Sequence, residues 1–236
     1  MEIKLKEIVF DYKDKRVIDK LTFTFEKGRT YALLGKSGIG KSTLLSLLKG
    51  FETPLAGTIQ YDGLTESNIE IVFQDLQLFP WQTVYQTVEM PLKLKKVSKA
   101  ERTKRVTKLL EELELSDLAN SFPGQLSGGQ QQRTAMARGL ITEPAFLLLD
   151  EPTSSLDQET KERAQGFILS EQKKRGNTLI TVTHDIEEAA FLGETILIMD
   201  RDGISVHKNP VFHLVNRRDS VDFYNYCITL RKFLKS

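Results

Sequence analysis

Four short apolar runs in this chain each stop at a polar residue, and that pattern narrows the fold more than any other. Tyr31-Ala32-Leu33-Leu34 leads into Gly35, and Ile69-Glu70-Ile71-Val72-Phe73 leads into Gln74. Phe146-Leu147-Leu148-Leu149 leads into Asp150 and Glu151, and Leu179-Ile180-Thr181-Val182-Thr183 leads into His184. Strands that are apolar almost throughout suit a parallel sheet covered on both faces. In open α/β sheets the ligand sits beyond the carboxyl ends of the strands. The four polar groups are therefore expected along one edge of one sheet.

The first of these edges carries a phosphate-binding pattern. Gly35-Lys36-Ser37-Gly38-Ile39-Gly40-Lys41-Ser42-Thr43 fits G-x-x-x-x-G-K-[ST], between an apolar strand and the helical run Thr43–Lys49, which is the context that loop needs. Its glycines let backbone N–H groups turn inward around phosphate oxygens, and the following helix offers its N-terminus to the same anion. Lys41 reaches the β- and γ-phosphates, and the Ser42 hydroxyl suits Mg²⁺. Asp150 and Glu151 divide two jobs. The first holds Mg²⁺ through water, because that ion keeps much of its hydration shell. The second lies beyond it as general base or water-orienting group, a role worth about 10²–10⁴ in rate.

His184 and Gln74 each carry two readings. His184 either caps a helix that starts near Ile186 or hydrogen-bonds the γ-phosphate or the attacking water, and its place on the edge favours the second. Gln74 is either a polar strand terminus or an amide that ligates Mg²⁺ or water while reporting nucleotide state to the adjacent segment. Elsewhere, Leu126-Ser127-Gly128-Gly129-Gln130 places a hydroxyl and two glycine amides in a small nest of donors suited to an anion.

At 236 residues, one α/β domain with a small inserted lobe is the natural expectation. The predicted organisation is an α/β core over 1–75 and 136–236 and a helical lobe over 76–135. Within the lobe, Ser98-Lys99-Ala100-Glu101 reads as a capping box, followed by Val106, Leu109, Leu110 and Leu113 on one helix face. Lys99, Arg102, Lys104, Arg105 and Lys108 read as the solvated face of that helix. The first 30 residues, alternating at Ile3, Leu5, Ile8 and Phe10, suggest an antiparallel flap, and Asp62-Gly63 marks a turn. Lys+Arg 33 against Asp+Glu 32 supplies no global field toward nucleic acid or anionic lipid. Cys227 is the only cysteine, so an internal disulfide is excluded and a reducing compartment fits. Met1-Glu2-Ile3-Lys4 is unlike a secretory signal, and no apolar run approaches the roughly 18 residues of a membrane span. A membrane role is expected only through a partner.

Taken in order, these residues resemble the ATP-binding subunits of ABC transporters over essentially the whole chain. An aromatic (Tyr12) precedes the Walker A loop (Gly35–Thr43). The Q-loop (Gln74), the signature (Leu126–Gln130), Walker B (Phe146–Glu151), the D-loop (Ser155-Leu156-Asp157) and the H-loop (His184) follow. The resemblance implies a P-loop NTPase core with a parallel sheet, an antiparallel β flap and an inserted helical lobe. It implies a head-to-tail homodimer that closes two ATPs and their Mg²⁺ between its copies, Walker A of one facing Ser127, Gly128, Gly129 and Gln130 of the other. Tyr12 stacks on adenine in that picture, and Asp157 of the D-loop adjoins the nucleotide. The dimer sits on a transmembrane permease at the cytoplasmic face of the membrane, with an extracytoplasmic solute-binding protein as a further partner.

Two stretches are similar to nitrate, sulfonate and taurine importers: Leu78-Phe79-Pro80-Trp81-Gln82-Thr83-Val84, and Thr183-His184-Asp185-Ile186-Glu187-Glu188-Ala189. Glu89-Met90-Pro91-Leu92 is also similar to lipoprotein-release and macrolide-type exporters, so export stands as the alternative direction. Compared with sugar-importer ATPases, the short stretch after Asp202 leads to the expectation of no large C-terminal regulatory domain. A soluble ABC ATPase acting on nucleic acid is a rival class, against which stand a single cassette, the short span from Gln74 to Ser127 and the balanced charge. A nucleotide-sensing scaffold without catalysis is opposed by intact Lys41, Glu151 and His184. Trp81 is either the anchor of a docking loop, where a partner that buries it gains on the order of 2–3 kcal/mol, or a residue packed within the helical lobe.

Overall fold

The computed structural model describes residues 1–12, 15–200 and 203–234. The N-terminal strand β1 (Glu2–Tyr12) pairs antiparallel with β2 (Lys15–Glu26) on one side and β4 (Ala56–Asp62) on the other. This is the predicted flap, widened by a third strand. Its inward residues are Ile3, Leu5, Ile8 and Phe10, a spacing that skips one position after Leu5. A bulge there, with Glu7 at φ 52, takes up the extra residue and keeps the apolar side facing inward.

The second sheet runs in the order β5 (Ile69–Val72), β6 (Phe146–Asp150), β7 (Thr178–Thr183), β3 (Thr30–Gly35), β8 (Thr195–Met199) and β9 (Ile204–Lys208). Neighbouring strands are parallel from β5 to β8, as the apolar runs require. β9 is antiparallel to β8, because so short a connection makes a hairpin, whereas parallel pairing needs a long crossover back to the start of β8. Successive residues alternate between two buried layers. Phe146 and Leu148 of β6, Ile180 and Val182 of β7, Leu33 of β3 and Leu197 of β8 face the flap and helix α1 (Lys41–Lys49). Leu147, Leu149 and Leu179 face the opposite side. There they meet α2 (Val84–Leu94), α3 (Lys99–Glu112), α4 (Gly128–Leu140) and α5 (Gln158–Arg175). Farther along that side Ala32, Leu34, Ile196 and Ile198 pack on α6 (Ile186–Leu192) and α7 (Val221–Phe233). Cys227 is buried in α7, where loss of solvent pushes its thiol up to about 11.

Ser98 caps α3 by accepting from the Glu101 amide at 3.4 Å, one of the two bonds of the predicted box. The basic face of α3 is less solvated than its charge suggested. Arg102 donates to Glu89 of α2 at 2.8 Å and to the Val97 carbonyl at 2.7 Å. Arg105 donates to the Ile141 carbonyl at 2.9 Å, beyond the end of α4. Helical periodicity identifies the polar side of α3 but not the carboxylates and carbonyls that other elements bring to it. α4 runs without a break across residue 135, so the expected lobe boundary falls inside a helix whose latter part also packs on β5. Among the described residues no helix is long and apolar enough to cross a membrane.

The Glu89–Arg102 contact joins α2 to α3 and has a defined pH signature. Burial alone raises the Glu89 pKa, but hydrogen bonds from Arg102 and Lys93 outweigh it and hold the carboxyl below its ordinary range. Arg102→Ala is expected to lower unfolding free energy at pH 7 by about 2–3 kcal/mol, somewhat less than for a fully enclosed pair. A folded pKa that is depressed contributes stability above the unfolded value, about 4.3, and loses it as pH falls through the folded one. The difference between variant and wild type in urea unfolding is therefore full at neutral pH and shrinks below pH of about 4.

Candidate functional site

Parallel registry decides what meets at the carboxyl edge of the sheet. Asp150 pairs with Val182 and Leu34 with Thr183, so Gly35, Glu151 and His184 emerge side by side. The Glu151 amide donates to the Val182 carbonyl at 2.9 Å, which fixes the chain as it leaves β6. The Glu151 backbone then turns through the left-handed region, at φ 46, an uncommon conformation for a non-glycine residue. Its carboxylate lies 3.1 Å from His184 Nδ1 and 3.9 Å from Lys41 Nζ. Asp185, not His184, caps α6 by accepting from the Glu188 amide at 3.0 Å. The histidine is left free to face the edge.

The loop before α1 closes around its own lysine. Lys41 is only 4% exposed, and Nζ donates to the carbonyls of Gly35 at 2.9 Å and Lys36 at 3.1 Å. Burial lowers its pKa, against the opposing pull of Glu151 and Asp150. Gly40 precedes α1 at φ 113, and a Cβ there would lie 2.0 Å from Val17 Cγ1, so glycine alone fits. No side chain caps α1, which leaves its first amides to an anion. The Ser42 hydroxyl donates to Asp150 Oδ1 at 3.1 Å. Burial raises the Asp150 pKa, the Ser42 hydrogen bond opposes it, and the neighbouring Glu151 charge adds to the rise.

A pocket of about 480 Å³ opens over this loop, lined by Tyr12 and Val17 from the flap, Ser37 to Thr43, Gln74 and Glu151. Phe10 is buried in the flap core, whereas Tyr12 is 62% exposed at the pocket. Gln74 Nε2 donates to Ser154 Oγ at 3.4 Å, in the loop that follows Glu151. The next turn places Leu76 and Gln77 at φ 54 and 45, and Arg138 of α4 donates to their carbonyls at 2.9 and 2.6 Å. Arg138, Ser154 and Val17 were not among the residues that sequence reasoning singled out. Val17 sits in an ordinary strand and Arg138 on a helix, and neither stands in a pattern that marks it.

The remaining expected residues lie elsewhere. Ser127, Gly128, Gly129, Gln130 and Asp157 are not among the described residues that line the pocket. Ser127 caps α4, accepting from the Gln130 amide at 3.3 Å while Gln130 Oε1 accepts from the Ser127 amide at 2.8 Å. A Cβ on Gly128 would approach Leu156 Cδ2 to 3.0 Å, so the Gly-Gly turn rests against the segment Ser155 to Asp157. Asp157 caps α5 through the Thr160 amide at 3.1 Å. Two polar assemblies therefore stand on one chain, the loop pocket and the exposed turn at the start of α4.

Comparison with known proteins places this arrangement. Residues 18–154 match the family model described as ABC transporter. The chain belongs to the ABC transporter family. It is 41% identical over 215 residues to the spermidine/putrescine import ATP-binding protein PotA of Nitrosomonas eutropha, covering 88% of this chain and 59% of that one. It is also 41% identical over 197 residues to the taurine import ATP-binding protein TauB of Pseudomonas aeruginosa, covering 81% of this chain and 75% of that one. The chain thus spans about three fifths of the polyamine-import relative's length, and the likeness extends beyond taurine-type importers. Among solved structures, a dimeric post-hydrolysis state of an ATP-binding cassette bound to ADP and Pi superposes with a TM-score of 0.75 at 32% identity. That match covers 87% of this chain and 98% of the other. The P-loop core, antiparallel flap and helical insertion expected from the family resemblance are the fold of this ABC cassette.

Trp81 is 69% exposed and stacks on Phe79, with ring centroids 5.2 Å apart, so it is not a core residue of the helical region. Removing a buried tryptophan costs about 3–5 kcal/mol, whereas one exposed ring stack is worth about 1 kcal/mol. Trp81→Ala is expected to change the unfolding free energy by about 1 kcal/mol or less in urea titration. A loss near the larger figure would make Trp81 part of the hydrophobic core.

Proposed function

We propose that the chain is the ATP-hydrolysing subunit of a membrane importer, working as a head-to-tail dimer. The observation that carries this reading is the Glu151 carboxylate, 3.1 Å from His184 Nδ1 and 3.9 Å from the lysine of the phosphate loop. A carboxylate in that place, beyond the loop that holds phosphate, is where a water in line with the γ-phosphorus needs its proton taken.

In this mechanism Tyr12 covers the adenine, and the amides of Ser37 to Thr43 with Lys41 hold the β- and γ-phosphates. Ser42, Asp150 and Gln74 supply hard oxygen donors. Among the described residues no cluster of three or more His, Cys, Asp or Glu forms a metal cage. That donor set fits Mg²⁺, which retains waters and takes substrate phosphate oxygens as ligands. When bound, the ion spreads the negative charge that develops on the phosphates. Asp150 would hold it through water. Glu151 orients the attacking water and accepts its proton as the new P–O bond forms and the bond to the ADP oxygen breaks. His184 fixes the Glu151 carboxylate and donates to the γ-phosphate oxygen. Ser127, Gly128, Gly129 and Gln130 of the second copy, with Asp157 beside them, close over the same nucleotide.

Coupling runs through a permease bound at the helical lobe, 76–135 in the proposed organisation. Phe79 and Trp81 form the apolar contact beside Gln74, and a solute-binding protein delivers cargo from the opposite side of the membrane. Both relatives named above are import subunits, which favours import over the export alternative.

Two experiments test the hydrolytic core. Glu151→Gln keeps the nucleotide site but is expected to slow hydrolysis by about 10²-fold or more, so that an ATP-dependent dimer accumulates on gel filtration. Turnover near the wild-type rate would remove Glu151 from its role. Ser127→Arg is expected to bind ATP as a monomer yet fail to close. Mixed with Lys41→Ala subunits, it pairs one intact loop with one intact signature and recovers part of the activity. Heterodimers that form and stay inactive would refute the shared site.

A further inference from the structure

Among the described residues the C-terminal segment lines no part of the pocket, yet it contacts α5. Arg218 lies in the 3-10 turn Arg217–Asp219, just before α7, and donates from Nη2 to Oε1 of Gln165 on α5. Gln165 Nε2 donates to Thr153 Oγ1 at 3.2 Å and to Glu188 Oε1 at 3.1 Å. The Thr153 hydroxyl donates to the same Glu188 oxygen. Thr153, Gln165 and Glu188 are all buried. Thr153 stands two residues after Glu151, and Glu188 four residues after His184. The network thus ties the loop that leaves β6 to the helix that follows β7.

An amide has a donor end and an acceptor end, and only one orientation suits this place. Nε2 faces a carboxylate and a hydroxyl whose proton is already given to that carboxylate. Turned over, the amide would set its oxygen against the Glu188 carboxylate in a buried, weakly screened space. Arg218 has donors and no acceptor, so it can accept only the oxygen end toward itself. Its guanidinium is in turn fixed over the Phe191 ring of α6, 3.7 Å from the centroid. Lys161, one turn before Gln165 on α5, pairs with Asp185 at the start of α6, so the same face of α5 meets that helix at two levels.

We propose that Arg218 is a positioning residue: by orienting the Gln165 amide it sets the Glu151 loop and the His184 helix at their working separation. The C-terminal segment thereby acts on the hydrolytic step without touching nucleotide. This rests on the reading of the chain as an ATPase.

The test uses steady-state ATP hydrolysis by the purified full chain, corrected for folded fraction. Arg218→Leu keeps apolar cover on Phe191 and removes the donor. It is expected to lower kcat by about 10- to 100-fold, the effect of a small misplacement, with KM for ATP within about twofold of wild type. Arg218→Lys, which restores a charged donor, recovers most of kcat. Thr153→Val acts through the same network, so Arg218→Leu/Thr153→Val is no slower than the slower single variant. Wild-type kcat in Arg218→Leu, no recovery in Arg218→Lys, or losses that multiply in the double variant would overturn the proposal. Should Arg218→Leu not fold, Gln165→Met removes the amide at similar volume, and a wild-type kcat there overturns the proposal equally. A wild-type chain without hydrolysis that Glu151→Gln abolishes would sink the ATPase reading itself. A hydrolysing wild type with a silent Arg218→Leu sinks only the role of Arg218.

Discussion

A strand buried on both faces can present chemistry only at its ends. β6 illustrates the constraint: Phe146 and Leu148 go to one apolar layer, Leu147 and Leu149 to the other, and the first position free to be polar and reactive is Asp150. β7 obeys it as well, with Thr183 and His184 at its exit. Parallel pairing then aligns these exits, because every strand from β5 to β8 points the same way. The contact between Glu151 and His184 is thus a consequence of sheet register, and a slip of one residue in either strand would turn its core residues to the wrong layer.

That same constraint explains what the sequence disclosed and what it withheld. The runs ending at Gly35, Gln74, Asp150 and His184 were legible because continuous burial writes itself into composition. The phosphate loop was legible because its glycines and lysine stand at fixed offsets. The flap alternation at Ile3, Leu5, Ile8 and Phe10 was legible too, although the bulge at Glu7 that reconciles its spacing was not. Interactions between elements left no periodic trace. Nothing in the order of residues pairs Arg102 with Glu89, or brings Arg138 of α4 onto the carbonyls of Leu76 and Gln77. A cation on a helix face reads as solvated until another element supplies its acceptor. The antiparallel turn of β9 was likewise hidden, since a short edge strand reads the same in either direction.

The electrostatics of the edge suit a charged ligand. Lys41 is enclosed, and burial disfavours its charge while Glu151 and Asp150 support it. Asp150 is held toward its neutral form by burial and by Glu151, with only Ser42 and Lys41 opposing. In the proposed mechanism, a ligand carrying phosphate together with a hydrated divalent cation would relieve both: phosphate favours a lysine cation, and a metal favours an aspartate anion. The amides at the start of α1, which no side chain caps, add to the first effect.

The exposed turn at the start of α4 completes the argument for two copies. Its Gly128 and Gly129 amides lie in the first helical turn, where intrahelical acceptors are lacking. Ser127 Oγ already accepts from Gln130 and leaves its proton to give. These donors suit an anion, yet the phosphate loop of the same chain faces a pocket they do not line. In the proposed dimer, a second copy related by a two-fold axis would resolve the mismatch, because a contact from loop to turn made once is made again by symmetry. The Gly128 turn also rests on Leu156, and Leu156 donates its amide to the Thr153 carbonyl at 3.2 Å. In the proposed dimer, the surface that meets the partner's nucleotide would therefore be continuous with the loop that carries this chain's own Glu151.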